Sequence, residues 1–138
     1  MTKNNFNIEL FPQGVFVITL LDGKKIRGRF SMYALNRFCE AKGVNYLQAI
    51  GKITLGMTIK EYAELIVFAL EDLYREDFEL CRHNEQRWTV AKVMDDILDP
   101  MGLGTATALS FFEHAVGRLG QIMGPAETID KKKAAKKK

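Results

Sequence analysis

Two apolar runs meet at a turn signal near the start of the chain. Gly14-Val-Phe-Val-Ile-Thr-Leu-Leu21 is β-branched and apolar, Lys24-Lys-Ile-Arg-Gly-Arg-Phe30 alternates strictly, and Asp22-Gly23 lies between them. Asp-Gly between two such runs predicts a β-hairpin with a two-residue loop, in which both turn residues take φ > 0. That loop sets Leu21 opposite Lys24, Thr19 opposite Ile26, Val17 opposite Gly28 and Val15 opposite Phe30. One face then carries Val15, Val17, Ile26 and Phe30. The other carries Phe16, Ile18 and Leu20 beside Lys25, Arg27 and Arg29. A slip of one residue would exchange the faces, so the assignment rests on the turn. Residues 1–13 are polar, include Pro12, and read as a loosely held arm or an edge segment.

Beyond Phe30 the period changes to that of helices. Ser31 is placed to cap a helix that runs to about Lys42, with Gly43 as its left-handed stop and Met32, Leu35, Phe38 and Cys39 as its apolar stripe. A short amphipathic piece covers Asn45 to Ile50 and ends at Gly51. Thr58-Ile-Lys-Glu61 has the form of a capping box. After it, Ile59, Tyr62, Ala63, Ile66, Ala69, Leu70, Leu73 and Tyr74 recur at helical spacing up to about Arg75. Another helix is expected from Glu85 to Leu98, burying Trp88, Val93, Ile97 and Leu98 and stopping at Asp99-Pro100. Met101-Gly-Leu-Gly104 reads as a joint. The last helix spans Thr105 to Leu119 and ends at Gly120, with Leu109, Phe112, Val116 and Leu119 on one stripe and Ala108, Phe111 and Ala115 adjoining. The fold predicted is α+β: an N-terminal β-hairpin packed on a mainly α-helical single domain over residues 1–124, followed by a disordered lysine-rich tail over 125–138.

Composition changes this picture at one point. The chain has 20 Lys+Arg against 17 Asp+Glu, a net charge of +3, but six of those lysines lie in Lys131–Lys138. Without them 14 bases face 17 acids, so the body is mildly acidic although the pI is about 8.9. Lys25, Arg27 and Arg29 beside Phe16, Ile18 and Leu20 resemble a single-strand-binding platform. The reading preferred is that their alkyl stems cover apolar neighbours while the charges stay wet. Nucleic acid is therefore not the expected partner. At 47% hydrophobic residues over 138 positions, one ordinary core is expected, and no apolar run reaches the length of a membrane span. The N-terminus lacks the pattern of a signal peptide. Cys39 and Cys81 are expected to be reduced thiols.

Catalytic chemistry is thin. His83 and His114 are the only histidines, and Cys81 with His83 lacks the second local pair that a structural zinc site needs. Asp95, Asp96 and Asp99 read as a solvated face, and Gly102-Leu-Gly104 lacks the third glycine and preceding strand of a dinucleotide loop. No enzyme, no metal and no cofactor is expected. Apolar surface is the better signal, because the hairpin carries apolar residues on both faces and the last helix is broader than one buried stripe.

Residues 23–75 resemble the tail assembly chaperones of long-tailed bacteriophages. The pattern is a hairpin ending in a basic–aromatic strand (Gly23 to Phe30), then a helix carrying Tyr33-Ala-Leu35 and Phe38 up to Gly43. A Leu-containing piece (Val44 to Ile50) and the Thr58-capped helix to Leu70 complete it. The resemblance implies an oligomer-forming protein of the bacterial host cytoplasm that coats the tape measure protein until tail tube protein replaces it. Such proteins are often made in two lengths by programmed frameshifting, to which consecutive lysine codons would be suited. On that reading, Phe111, Phe112, Val116 and Leu119 are expected to hold the partner, and Phe16, Ile18 and Leu20 to mediate self-association. Two other classes stay open: a structural virion component such as a neck or tail-completion ring protein, and a small nucleic-acid-binding regulator.

Overall fold

Asp22-Gly23 does reverse the chain, through a three-residue loop in place of the expected two. In the computed structural model, which describes residues 5–72 and 88–124, the Leu20 N–H donates to the Lys24 carbonyl and the Gly23 N–H to the Leu20 carbonyl, both at 2.8 Å. The Lys24 N–H also donates to Asp22 Oδ1 at 2.9 Å. Gly23 takes the left-handed backbone at φ +89° and Asp22 does not, whereas the two-residue turn would have forced both there. The additional loop residue moves the pairing by one, so that Phe16 faces Gly28, Val17 faces Arg27 and Ile18 faces Ile26.

In consequence Phe16, Ile18 and Leu20 share a face with Ile26 and Phe30, in place of Val15 and Val17. Phe16, Ile18, Leu20, Ile26 and Phe30 are buried, none more than 8% exposed. Val15, Val17 and Thr19 are half-buried on the outer face, with Lys25, Arg27 and Arg29. The self-association role expected for Phe16, Ile18 and Leu20 is thereby corrected, because these side chains are interior. The physical reason lies in volume. This register buries the larger set of side chains and puts Phe16 over the one strand position with no side chain. A Cβ built on Gly28 would lie 2.4 Å from Phe16 Cζ and 3.1 Å from the Ala69 carbonyl oxygen.

Strand β1 (Asn7–Leu10), within the segment expected to be an arm or edge, adds to the hairpin strands β2 (Val15–Thr19) and β3 (Lys25–Arg29) in an antiparallel sheet of order β1-β2-β3. The chain between β1 and β2 turns tightly at Pro12–Gly14, where Gln13 takes a left-handed backbone (φ 63°, ψ 29°). Gly14 is needed there. Its φ is +81°, and a Cβ would collide with the Phe30 carbonyl oxygen at 2.3 Å.

Helix α1 (Met32–Lys42) begins as expected, with Ser31 Oγ accepting the Ala34 N–H at 3.2 Å, and ends at left-handed Gly43. The same Ser31 hydroxyl donates to buried Asp72 at 2.9 Å, tying the start of α1 to a residue 41 positions further along the chain. Helix α2 (Tyr46–Leu55) is longer than expected. It runs through Gly51 to Gly56 and is opened by an Asn45–Gln48 capping box. Helix α3 (Ile59–Glu71) carries the expected Thr58–Glu61 box. Tyr62, Ala63 and every position from Leu65 to Leu70 are buried, so α3 is the central helix and not a one-faced one. Leu73 and Tyr74 lie outside the described residues.

The next helix, α4 (90–101), continues past the expected stop at Pro100. Its middle, Met94–Leu98, is a π turn in which the Asp99 N–H reaches back to the Met94 carbonyl. Pro100 has no N–H for the Asp96 carbonyl and would clash with it in a regular helix; the wider turn relieves both problems. Val93, Ile97 and Leu98 are buried as expected. Helix α5 (Ala106–Met123) begins one residue after the expected start, with Thr105 as its cap, and passes through Gly120 to Gly124. No helix among the described residues is long and apolar enough to cross a membrane.

The observed architecture is the expected α+β single domain, with a three-stranded sheet in place of a lone hairpin. A cluster of Phe rings joins the layers. Phe16 lies 5.0 Å from Phe30 and 4.9 Å, edge-on, from Phe111, while Phe30 and Phe111 are 5.3 Å apart between centroids. Two polar tethers fix α5 lengthwise: His114 Nε2 bonds the Val15 carbonyl at 2.9 Å and Arg118 Nε the Phe30 carbonyl at 3.1 Å. Gly28→Ala is expected to lower stability in urea denaturation by about 1–3 kcal/mol through overpacking. Gly120→Ala, at a helical position with open space, should be neutral or raise it by up to about 1 kcal/mol.

Candidate functional site

Two helices begin side by side on one surface. Thr58 Oγ1 accepts the Glu61 N–H at 3.1 Å and Glu61 Oε1 accepts the Thr58 N–H at 3.0 Å, which fixes the first turn of α3. The Glu61 carboxylate also pairs with Lys52 at 3.0 Å. These contacts, the Thr58 amide above all and then Lys52, hold the Glu61 pKa below its ordinary value. The start of α5 is built similarly: Thr105 Oγ1 accepts the Ala108 N–H at 3.1 Å and donates to the Gly102 carbonyl at 2.9 Å, after Gly102 has turned the chain at φ +75°.

Between these two first turns lies an open apolar groove of about 590 Å³. Met57 and Ile59 form one side, and Leu103, Leu109 and Phe112 the other. Ile59, Leu103 and Leu109 are 53, 49 and 58% exposed, and Leu55 just beyond is 90% exposed. Side chains of this size, gathered around one concavity, leave a patch of apolar surface open to solvent. Tyr62 also lines the groove. Its ring stands edge-on to Phe112 at 6.1 Å, and burial raises its pKa. The phenol oxygen is shut off from solvent and has no hydrogen-bond partner among the described residues.

The partner-binding residues expected from sequence divide. Phe111 and Leu119 are interior, at 0 and 4% exposure, and the role expected for them is corrected. Phe112 lines the groove, and Val116 is half-buried against the core. The inward stripe of α5 is Ala108, Phe111, Ala115 and Leu119, rotated by about one position from the expected one. Small Ala108 and Ala115 let the helix approach its neighbours closely, which turns Leu109 outward. Met57, Ile59, Leu103 and Leu109 were not foreseen as site residues. Their signal was present only as a second, competing apolar stripe on α5 and an apolar residue ahead of each Thr cap.

The hydroxyl-bearing side chains that line this groove are Thr58, Tyr62 and Thr105, and the two threonines cap helices. Elsewhere, Cys39 is a half-buried thiol whose pKa burial raises, His114 is engaged by the Val15 carbonyl, and Asp95, Asp96 and Asp99 are exposed. Cys81 and His83 lie outside the described residues, and no metal-holding cluster of His, Cys, Asp or Glu occurs among those described. On the outer face of the sheet Lys25 and Arg27 are exposed, while Arg29 Nε donates to the Gln13 carbonyl at 3.2 Å. Comparison with family models, curated proteins and solved structures finds no match to this chain.

Because the Glu61 pKa is lower in the folded chain than its ordinary 4.5, its contribution to stability is complete above that value and is lost as pH falls through the lowered one. Glu61→Gln is therefore expected to flatten the acid limb of the stability–pH curve below about pH 4.5. Thr58→Ala should cost about 1 kcal/mol at neutral pH, and denaturant titrations of both variants across pH check the two effects.

Proposed function

We propose that the chain is a non-enzymatic holder of amphipathic helices. More specifically, it would be a phage tail assembly chaperone that coats the tape measure protein in the host cytoplasm and yields it to the tail tube protein. The observation that carries this reading is the groove between α3 and α5, apolar, open and rimmed by exposed Ile59, Leu103 and Leu109. The resemblance over residues 23–75 supports it independently, since its Thr-capped helix is the α3 whose first turn forms one wall.

The mechanism follows from the size of the site. A groove of about 590 Å³ accepts a few side chains of a helix, not a whole helix. Each contact is then weak, and hold comes from several copies engaging one long helix, each raising the effective concentration of the next. Single subunits leave readily, so a polymerising tube displaces them one at a time without nucleotide hydrolysis. Self-association, if it accompanies this activity, uses surfaces other than Phe16, Ile18 and Leu20, which are interior.

The test is a pull-down of the tape measure protein by a Leu103→Asp/Leu109→Asp double variant, with circular dichroism confirming the fold. Both sites are about half exposed, so the fold should persist while affinity drops at least about tenfold. Leu21→Asp, equally exposed but in the hairpin loop, should bind as the wild type does. Unchanged binding by the double variant would remove the groove from the contact surface.

A further inference from the structure

We infer that the open edge of strand β1 is a self-association surface, on which the β1 of a second copy of this chain adds antiparallel about a two-fold axis at Ile8. This goes beyond the helix-holding reading and supplies the contact between copies that holding one long helix calls for.

The hydrogen-bond parity of β1 is fixed at its end. The Phe11 N–H donates to the Val15 carbonyl at 2.9 Å, and the register sets Glu9 opposite Val17 and Asn7 opposite Thr19. Bonding pairs alternate along an antiparallel ladder, so Asn7 and Glu9 direct their backbone groups to β2. Ile8 and Leu10 point theirs away from it, and no further strand pairs with β1 among the described residues. An edge of this kind accepts another strand unless charge, proline or a bulge prevents it. The edge strand on the other side, β3, is guarded by Lys25, Arg27 and Arg29. Strand β1 carries one charge, Glu9, and no proline.

A second feature lies beside that edge. On the inner face of the sheet, Ile8 and Leu10 form one wall of an open gutter of about 410 Å³, and Ala106, Thr107, Ser110 and Phe111 form the other. Leu10 is 38% exposed there. Residues directly opposite each other in an antiparallel pair share a face, so an added strand sends alternate side chains into this gutter.

The register selects the occupant. With the axis at Ile8, that residue exchanges both backbone bonds with its own counterpart, and each Ile8 side chain enters the gutter beside the other. Glu9, on the outer face, then stands opposite the second copy's Asn7, whose amide can donate to it. Moving the axis to Glu9 would set two Glu9 carboxylates directly opposite, which is destabilising. Moving it to Leu10 would set Ile8 against Pro12, which has no N–H. The Ile8 axis has neither fault. It joins the two sheets into one of six strands, with both α5 helices on the same side.

The experiment uses the full chain. The interface is small, so sedimentation velocity from about 5 to about 500 μM should show a monomer–dimer equilibrium. Amide exchange followed by NMR should slow about fivefold or more at Ile8 and Leu10 as the dimer fills, and change less at Asn7 and Glu9, already bonded to β2. Asn7 is exposed, so its substitution should leave the fold intact by circular dichroism. Asn7→Lys, facing Glu9, should tighten the dimer about threefold or more, and Asn7→Asp should weaken it by a similar factor. A chain that stays monomeric, an assembly of any size whose Ile8 and Leu10 amides exchange as in the monomer, or a dimer indifferent to both Asn7 substitutions would overturn the inference. The Leu103→Asp/Leu109→Asp variant should dimerise as the wild type does. Loss of the dimer in that variant would shift the contact to the groove and overturn the β1 edge, while helix holding is read separately in the pull-down.

Discussion

Phe16 lies across the strand position that has no side chain, and the placement of nearly everything else follows from that contact. With Gly28 beneath it, the Phe16 ring reaches Phe30 on its own sheet and Phe111 on α5, at centroid distances of 5.0 and 4.9 Å. Each such ring pair contributes about 0.5–1.5 kcal/mol beyond the burial of its area. The larger consequence is geometric. In the alternative register Phe16, Ile18 and Leu20 would face water, and α5 would have no aromatic floor to pack on. One hairpin loop residue thus decides which side of the sheet is the inside.

Once α5 is seated on that floor, its rotation about its own axis is set by the small residues Ala108 and Ala115 and by the His114 and Arg118 tethers to sheet carbonyls. That rotation sends Leu109 outward and leaves Phe112 at the boundary. Helix α3 is meanwhile enclosed along almost its whole length and open only at its N-terminal turn. The groove is where the one open end of the central helix meets the outward edge of the last one. Apolar exposure at this spot is therefore a product of packing constraints met elsewhere in the molecule.

The same origin gives the site its character. Helix starts bring positive partial charge and unsatisfied amides, while the connecting segments bring Met57 and Leu103. Apolar walls with polar, electropositive margins suit a side-chain-sized hold on an amphipathic helix. The polar side chains in the lining are Thr58, Tyr62 and Thr105, of which the two threonines are engaged as helix caps. The basic strand stays separate, on the far face of the sheet, where Arg27 stands opposite half-buried Val17.

What the sequence determined by itself were the features with local causes. The Ser31, Thr58 and Thr105 caps, the Gly43 stop, the Asp-Gly reversal and the buried Val93, Ile97 and Leu98 all follow from interactions within a few residues, and all are legible from spacing and residue type. Helix ends without a strong local signal were less so: Gly51, Pro100 and Gly120 did not stop their helices, because tertiary burial or a π turn offset a modest local cost. Only the tertiary structure decided the faces. The hairpin could be read in two registers and α5 in two stripes, and the choice depended on Phe16 meeting Gly28 on the neighbouring strand and Phe111 on the last helix. The candidate site inherits that dependence, since Leu109 and Ile59 are exposed only because other residues took the interior.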